Sequence, residues 1–238
     1  MDGNSRWAET QGMSRDEGHR AGAQHVRTVA EACADLGVRY LTLFAFSTEN
    51  WQRPTDEVEF LIQLIGETLE NELDELDERE TQVRFIGDRS RFPLDVRQKL
   101  HDSEIRTAHH KKLFLTIALN YGGRWDLTAA TREIAEAVKL GYLAPEEIDE
   151  NLIQTHLSTR DHPAPDLCIR TGGERRISNF LLWDFAYTEF YFSDSFWPGF
   201  SLKELRAAFE DYSKRQRRFG ARNATMTAST ISTIVEFH

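Results

Sequence analysis

Residues 40–54 read YLTLFAFSTENWQRP, and this stretch decides the fold class that the sequence predicts. Its first seven residues are rich in apolar and β-forming side chains, which is typical of a strand buried on both faces of a sheet. A polar loop follows, and Pro54 prevents direct continuation into a helix until Thr55. Polar residues that follow a buried parallel strand lie at the sheet edge where α/β proteins bind ligands. The stretch therefore predicts an α/β sheet with a functional site in this loop.

Strands and helices alternate on both sides of this stretch. We predict further short strands at residues 83–86, 113–119 and 167–169, where β-forming residues cluster. Helical spacing of apolar residues predicts helices at residues 17–36, 55–77, 94–108, 126–139, 146–157 and 201–216. This alternation predicts a single α/β domain over residues 1–222, with a central, mainly parallel sheet flanked by helices. Residues 223–238 are richer in small and hydroxylated side chains, and we predict a flexible tail there.

The composition excludes several classes of protein. The chain has 238 residues, of which 40% are hydrophobic and 29% charged, as in ordinary globular proteins. Its formal net charge of −10 argues against a nucleic-acid binder that works through a general positive field. Cys33 and Cys168 lie inside apolar runs, which argues against a disulfide framework or a cysteine-rich zinc site. Because no stretch approaches the roughly 20 apolar residues of a spanning helix and no leader opens the chain, we expect a soluble, cytoplasmic protein.

The first of four polar clusters lies at the beginning of the chain. It reads Asp2-Gly3-Asn4-Ser5-Arg6-Trp7, and Arg15 and Gly18-His19 follow it. A carboxylate is a good ligand for Mg²⁺, and arginines with backbone N–H groups bind phosphate oxygens. The cluster suits a metal-bound diphosphate, whereas the alternative interpretation is an ordinary Asp-Gly-Asn turn.

Two more clusters follow predicted strands. Residues 46–54 read FSTENWQRP, and the alternative to a binding loop there is a polar loop around a buried Trp51. Residues 120–126 read NYGGRWD. We interpret them as a strand-to-helix turn in which glycine supplies a positive φ and Asp126 caps the helix.

The fourth cluster, residues 170–180, reads RTGGERRISNF. Three arginines around a glycine pair form a local anion-binding loop, because guanidinium groups match phosphate oxygens in bidentate geometry. A solvated charged loop is the alternative. Aromatic side chains then dominate residues 183–200, which indicates core or a subunit interface. Glu189 lies within that segment and needs a partner such as a metal ion or an arginine, unless it faces solvent.

Together these clusters resemble the motifs of the cis-prenyltransferase family. In this sequence the motifs read DGNSRWA, GHRAG, FAFSTENWQRP, NYGGRWD and IRTGGERRISNFLLW, with YTEFYF and WP after them. They stand in family order and at family spacing from Asp2 to about Arg222. The resemblance implies the cis-prenyltransferase fold. It also implies the head-to-tail condensation of isopentenyl diphosphate onto an allylic diphosphate, with new Z double bonds.

The resemblance implies roles for individual residues. Asp2 would bind Mg²⁺, with Glu189 as a second metal-linked carboxylate. His19 would assist catalysis, and Asn50 would be the proton acceptor. One set would bind the allylic diphosphate and surround the reacting carbons: Gly3, Asn4, Ser5, Arg6, Trp7, Arg15, His19, Ser47, Thr48, Glu49, Trp51 and Arg53. A second set would bind isopentenyl diphosphate: Arg170, Arg176, Ile177 and Ser178.

The resemblance also implies a homodimer, Mg²⁺ as the cofactor, and peripheral membrane contact for product release, while the acidic composition predicts no nucleic-acid partner. An apolar tunnel would favour the growing chain by about 0.8 kcal/mol per buried CH₂. Ala23 and Ala45 would leave room for it, and Leu113 and Leu119 would form part of the wall. We therefore expect a long product, undecaprenyl diphosphate, made from farnesyl diphosphate for the cell-wall carrier lipid.

Two departures from the family pattern stand at the beginning of the chain. Ser5 occupies a position where the family usually has glycine, so its side chain either adds a hydrogen bond to phosphate or crowds the turn. Family members also begin with an apolar strand inside the sheet, whereas only Met1 precedes the motif here. We expect this first strand to be missing, through a misassigned start or a truncation, and Asp2 to lie on a chain end that frays.

Other functions were considered beside this one. A non-catalytic subunit that stabilises a partner prenyltransferase would lack the metal-binding aspartate and much of the arginine loop, and both are present here. A shorter-chain Z-prenyl diphosphate synthase remains open. A nucleotide-binding α/β enzyme is disfavoured, because the first strand–turn–helix region has neither a Walker-type Gly-Lys-Ser/Thr nor a G-x-G-x-x-G sequence.

Overall fold

The computed structural model describes residues 1–215 and 233–236, and strands and helices alternate along it as the sequence predicts. The helices are α1 Asn4–Thr10, α2 Arg15–Asp35, α3 Thr55–Glu78, α4 Leu94–Thr107, α5 Gly123–Lys139, α6 Glu150–His156 and α7 Leu202–Lys214. The strands are β1 Tyr40–Ser47, β2 Thr81–Ile86, β3 Leu113–Tyr121, β4 Leu167–Arg170, β5 Glu189–Phe192 and β6 Thr233–Glu236. α1, β5 and β6 have no counterpart among the predicted elements, because segments of seven residues or fewer carry little periodicity.

Within the described residues, six strands form one sheet in the order β2-β3-β1-β6-β4-β5, and all neighbouring strands are parallel. The prediction of a mainly parallel sheet is confirmed. β1 pairs with β3 from Tyr40↔Phe114 to Ser47↔Tyr121, with register shifts near its end. Because all strands run the same way, Ser47 at the end of β1 and Arg170 at the end of β4 lie at the same edge of the sheet.

The interior position between β1 and β4 is filled by β6. Residues 233–236 pair with residues 40–43 of β1, and residues 234–236 pair with 167–169 of β4. For these four residues the prediction of a flexible tail over residues 223–238 is wrong, because they form a strand. The other residues of that range lie outside the described residues. The physical reason is that β1 and β4 would each expose an unpaired edge without a strand between them. β6 stands inside the sheet, where the family's first strand was expected.

The sheet is covered on both faces. On one face α2 and α3 form the main core, in which Val29 and Leu61 pack with strand residues such as Leu43 and Leu115. On the other face a smaller aromatic cluster contains Phe44, Phe180, Leu181 and Phe185. Because both faces of the sheet are buried, β1 and β3 are apolar almost throughout. Among the helices of the described residues, none is long and apolar enough to cross a bilayer.

The turn between β3 and α5 differs from its prediction in two respects. Gly122 has an extended φ of −160, and the positive φ of 48 is found at Asn120. Glycine at 122 leaves room for the side chain of Asn179, because an added Cβ would lie 2.6 Å from its Nδ2 and displace it. Asp126 does not cap α5, which begins at Gly123. The buried Asp126 carboxylate instead accepts a hydrogen bond of 3.0 Å from the hydroxyl of Tyr121.

Substituting proline within β6 tests whether this strand holds the sheet together. Val235 pairs with Thr42 and Cys168, and proline removes its backbone N–H from the ladder. We expect Val235→Pro to destabilise the protein by about 1–3 kcal/mol, which for this size lowers Tm by roughly 2–4 °C per kcal/mol. Val235→Ala keeps the N–H and should cost less. Equal melting temperatures for the two variants, by circular dichroism, would contradict this role.

Candidate active site

A polar cavity of about 580 Å³ opens at the carboxyl edge of the sheet. The beginning of the chain, the loop after β1 and the loop after β4 all contribute to it. Its lining residues are Met1, Asp2, Gly3, Asn4, Ser5, Arg6, His19, Phe44, Ser47, Glu49, Asn50, Arg53, Glu57, Arg176, Ser178 and Asn179. Most of the predicted site residues therefore meet in one cavity, although they come from distant parts of the sequence.

Asp2 is held by both its backbone and its side chain. Its N–H donates to Oγ1 of Thr171 over 3.1 Å, and its carbonyl accepts from the N–H of Trp197 over 2.9 Å. Its carboxylate accepts from Arg6 Nη2 at 3.2 Å and from Arg170 Nη2 at 3.0 Å. The structure therefore differs from the expectation of a fraying end, because these contacts fix Asp2 against the end of β4.

Arg170 supports the cavity from behind and does not line it. Its side chain is 2% exposed, and besides Asp2 it donates to Oγ of Ser178 at 2.8 Å and to the carbonyl of Arg176. These contacts fix the turn in which Ser178 has a φ of 42. Ile177 is also absent from the lining and packs against the aromatic cluster. Of the second predicted set, only Arg176 and Ser178 face the cavity, because Arg170 and Ile177 are used for packing and support.

Glu57 is the central site residue that the sequence reasoning missed. It lies in the first turn of α3 and is 8% exposed. Its carboxylate accepts from Arg15 Nη1 at 3.0 Å and Arg53 Nη1 at 3.1 Å, and it lies 3.4 Å from Nε2 of His19. Arg15 itself does not line the cavity, because Glu57 and Asp56 bind it. An acid in the first turn of a helix is common, so the sequence gives no signal of this burial.

His19 connects the polar cavity to the apolar interior. It is 4% exposed, and its Nε2 lies 3.5 Å from Oγ of Ser5. Burial lowers the pKa of His19, and the charge of Arg53 lowers it further, against the opposing effect of Glu57. His19 is therefore neutral at neutral pH, since its ordinary pKa is already about 6.5. A neutral imidazole has one N–H donor and one acceptor.

The loop after β1 forms one wall of the cavity. Oδ1 of the buried Asn50 accepts from the N–H of Ser47 at 2.9 Å. Partial burial opposes ionisation of Glu49, but hydrogen bonds, first of all from Asn179, outweigh it and lower the pKa of Glu49. Thr48 donates to Glu49 at 3.0 Å and does not line the cavity.

Both tryptophans of the predicted set lie outside the cavity lining. Nε1 of Trp51 donates to Oδ1 of Asn120 at 2.8 Å, and the guanidinium of Arg91 lies 3.9 Å from the centre of a Trp51 ring. Trp51 is therefore held by protein contacts and is partly buried, and its part in substrate binding stays a prediction. Trp7 lies beside Gly199, where an added Cβ would come within 3.4 Å of the indole nitrogen.

The arginines of the cavity are paired with carboxylates. Arg6 contacts Asp2 and Arg53 contacts Glu57. Arg176, whose side chain is 61% exposed, contacts Glu174. The cavity therefore contains cationic groups without a large excess of positive charge. An anion that enters with a divalent cation fits this balance better than a bare anion, because the cation compensates the carboxylates.

The residues around Asp2 fit a Mg²⁺ ion. Mg²⁺ prefers oxygen ligands and is usually held by one or two carboxylates together with phosphate oxygens. The Asp2 carboxylate faces the cavity and is an oxygen donor of the required kind. Oδ1 of Asn4 is instead buried against α2, where an added Cβ at Gly22 would come within 2.5 Å of it.

Glu189, the second predicted metal ligand, does not share this site within one chain. It pairs with Leu167 at the beginning of β4, whereas Asp2 contacts Thr171, one residue beyond the strand's end. Its carboxylate accepts from Arg215 Nη1 at 2.9 Å, so its predicted partner is an arginine here. A separate group that could hold a metal ion is formed by Asp77, His109 and His110, whose ligand atoms lie within 4.8 Å of one another.

A second, apolar cavity of about 110 Å³ continues from the polar one, and Met1, Asn4 and His19 line both. Its walls come from α2, α3 and the sheet. As predicted, Ala23, Ala45 and Leu119 line it. Leu113, the fourth predicted wall residue, is instead buried in the core at the beginning of β3. The two cavities together offer a polar end for charged groups and an apolar end for a hydrocarbon.

Comparison with known proteins identifies the class. Residues 1–220 match the family model described as putative undecaprenyl diphosphate synthase, so the chain belongs to the undecaprenyl diphosphate synthase family of prenyltransferases. A farnesyl-diphosphate-specific ditrans,polycis-undecaprenyl-diphosphate synthase from Pseudomonas aeruginosa is 52% identical over 220 residues, 92% of this chain and 88% of that protein. The enzyme of the same name from Pseudomonas syringae pv. tomato is 51% identical with the same coverage.

Solved structures agree with this assignment. Lavandulyl diphosphate synthase from Lavandula x intermedia, in complex with dimethylallyl diphosphate, superposes with a TM-score of 0.90 at 36% identity. The match covers 92% of this chain and 95% of that one. A probable undecaprenyl diphosphate synthase from Campylobacter jejuni gives a TM-score of 0.75 at 33% identity, covering 84% and 92% of the two chains. The predicted resemblance and fold are confirmed.

Replacing Glu57 by glutamine tests its part in the site. The charge that holds Arg15 and Arg53 is lost, so charge-assisted hydrogen bonds that position them weaken. We expect the Kd of Mg²⁺–diphosphate, measured by calorimetry, to rise about tenfold, equal to ~1.4 kcal/mol. Asp56→Asn is the matched control, because Asp56 also contacts Arg15 but its side chain is 75% exposed. An unchanged Kd for Glu57→Gln would contradict this assignment.

Proposed function

We propose that this protein condenses isopentenyl diphosphate, head to tail, onto an allylic diphosphate and so makes a long Z-polyprenyl diphosphate. Farnesyl diphosphate is the proposed primer and undecaprenyl diphosphate, for the cell-wall carrier lipid, the proposed product. The observation that carries the proposal is the continuity of an arginine-containing polar cavity with an apolar one at Met1, Asn4 and His19. The relatives named above bear the name of this activity.

The polar cavity provides the groups that a diphosphate needs. Arg6, Arg53 and Arg176 bind phosphate oxygens, and Ser178 and Asn179 add hydrogen bonds near Arg176. Asp2 would hold Mg²⁺, which when bound neutralises the charge of the departing diphosphate. Preorganised positive groups of this kind are usually the largest contribution to such catalysis.

The reaction breaks a C–O and a C–H bond and forms a C–C bond and a new double bond. The C–O bond of the allylic diphosphate breaks, and the diphosphate takes the electron pair. The terminal alkene carbon of isopentenyl diphosphate attacks the allylic carbon, which leaves a positive charge on the methyl-bearing carbon. The CH₂ group between that carbon and the CH₂–O then loses a proton, and its C–H electrons form the new double bond. Oδ1 of Asn50 accepts the N–H of Ser47 and keeps a second lone pair, so either Asn50 or the released diphosphate takes this proton. Asn50 and Ser47 position the reacting carbons.

The lengthening hydrocarbon chain is transferred from water into the apolar cavity. Each buried CH₂ favours this by about 0.8 kcal/mol, so the product stays bound between additions. Neutral His19 stands at the junction of the two cavities, where an uncharged side chain avoids the cost of a buried charge beside the hydrocarbon. His19 and Ser5 position the diphosphate end above that junction.

A homodimer is part of this proposal. β5 is an edge strand of the sheet, and beside it Tyr187 is 72% exposed and Phe192 is 38% exposed. An edge strand with exposed aromatic side chains favours association with another chain. We also propose that the protein is cytoplasmic and that it contacts the membrane surface when it releases its product.

The activity is tested with the purified protein alone. Farnesyl diphosphate, radiolabelled isopentenyl diphosphate and Mg²⁺ are supplied, and products are separated by thin-layer chromatography after removal of phosphate. We expect labelled undecaprenyl product, and no product in EDTA. Asp2→Asn should lower turnover by about 100-fold or more, whereas Asp102→Asn, at an exposed position on α4, should leave it unchanged.

Two results would contradict the proposal. Absence of isopentenyl incorporation, combined with stimulation of a partner prenyltransferase, would favour the non-catalytic subunit. Products that stop after one or two additions would favour the shorter-chain synthase.

A further inference from the structure

Three side chains that could bind a metal ion meet where α3 ends. Asp77 lies in the last turn of α3, and His109 and His110 lie in the segment between α4 and β3. One nitrogen of each imidazole and one oxygen of the carboxylate lie within 4.8 Å of one another. We call these three residues the Asp77–His cluster. It lines neither the polar cavity nor the apolar one, so the proposed reaction does not use it.

The geometry of the Asp77–His cluster is close to that of a metal site. Nε2 of His110 lies 2.7 Å from Oδ1 of Asp77, and the centres of the two imidazole rings are 3.9 Å apart. Zn²⁺ binds imidazole nitrogen and carboxylate oxygen at about 2.0–2.2 Å, which places neighbouring ligand atoms of a tetrahedral site roughly 3.3 Å apart. The side chain of His109 is exposed, so a rotation of this side chain can supply most of the adjustment.

The surroundings of Asp77 orient its carboxylate and leave it a negative charge. Its second oxygen, Oδ2, accepts hydrogen bonds of 3.1 Å from both Nε and Nη2 of Arg106. Arg106 also contacts Asp74 at 2.8 Å. Two carboxylates thus share one guanidinium, and one net negative charge remains beside the imidazoles. Hydrogen bonds behind a ligand commonly fix its orientation in metal sites, and here they leave Oδ1 directed at His110.

We propose that the Asp77–His cluster binds a divalent transition-metal ion of the Zn²⁺ class and so fastens the end of α3 to the segment that leads into β3. Two imidazoles and one carboxylate suit Zn²⁺ and its neighbours, whereas Mg²⁺ prefers oxygen ligands alone. The ion therefore differs from the Mg²⁺ proposed at Asp2. Water completes the coordination on the exposed side of His109, so we expect a Kd in the micromolar range.

The test uses the full chain without a histidine tag, because a tag would itself bind these ions. The protein is treated with EDTA, dialysed into buffer that contains Mg²⁺, and titrated with Co²⁺ by visible absorption and with Zn²⁺ by calorimetry. His109→Ala removes one ligand, and Asp77→Asn removes the charge of another but keeps its shape. His101→Ala is the matched control, since His101 is an exposed histidine of α4 outside the cluster. Circular dichroism checks folding and gives Tm with and without Zn²⁺.

We expect the wild type and His101→Ala to bind one ion, with Tm raised by roughly 5 °C or more at an ion concentration 100 times the Kd. His109→Ala and Asp77→Asn should raise the Kd at least tenfold and remove most of the shift in Tm. Absence of binding to the wild type would overturn the inference, as would a wild-type Kd in folded His109→Ala or an equal loss in His101→Ala. These measurements use no prenyl substrate, so such a result would leave the proposed function intact.

Discussion

The ion pair between Asp2 and Arg170 is the interaction on which the site depends. It joins the beginning of the chain to the end of β4, and Arg170 also fixes the turn around Ser178. Two loops that lie far apart in the sequence thereby meet across one cavity. The guanidinium is almost fully buried, and a buried charge without its partner is strongly destabilising. Loss of the Asp2 carboxylate would therefore disturb the loop after β4 as well as the binding of a metal ion.

The change of polarity along the cavities follows from the parallel sheet. Loops at the carboxyl edge carry the arginines and carboxylates, because polar groups there are reached by solvent. Deeper along the strands, α2 and α3 cover the sheet, and only apolar residues such as Val26 and Leu119 are tolerated without partners. His19 stands at the boundary, because it lines both cavities. The same fold thus provides a polar environment for phosphate and an apolar environment for hydrocarbon.

The sequence predicted the sheet and most of the cavity lining, because strand periodicity and polar loops after strands are local signals. Glu57 was missed because its burial arises from α2 packing against α3, and its own neighbours in the sequence look like an ordinary first helical turn. Arg170 was predicted to bind substrate, which stays a prediction, but its burial and its contacts with Asp2 and Ser178 had no signal in the sequence. β6 was missed because its sheet position depends on the gap between β1 and β4. In each case, the deciding contact joins residues far apart in the sequence.

Pairing of arginines with carboxylates explains how an acidic protein can hold a diphosphate. The net charge of −10 repels anions at long range, but this field is screened beyond about 8 Å at physiological ionic strength. Inside the cavity, Glu57 holds Arg53 in place before any ligand enters, so less conformational freedom is lost on binding. Phosphate oxygens then supplement or replace the carboxylate contacts of the arginines. The site therefore depends on the local placement of a few guanidinium groups and not on the charge of the whole protein.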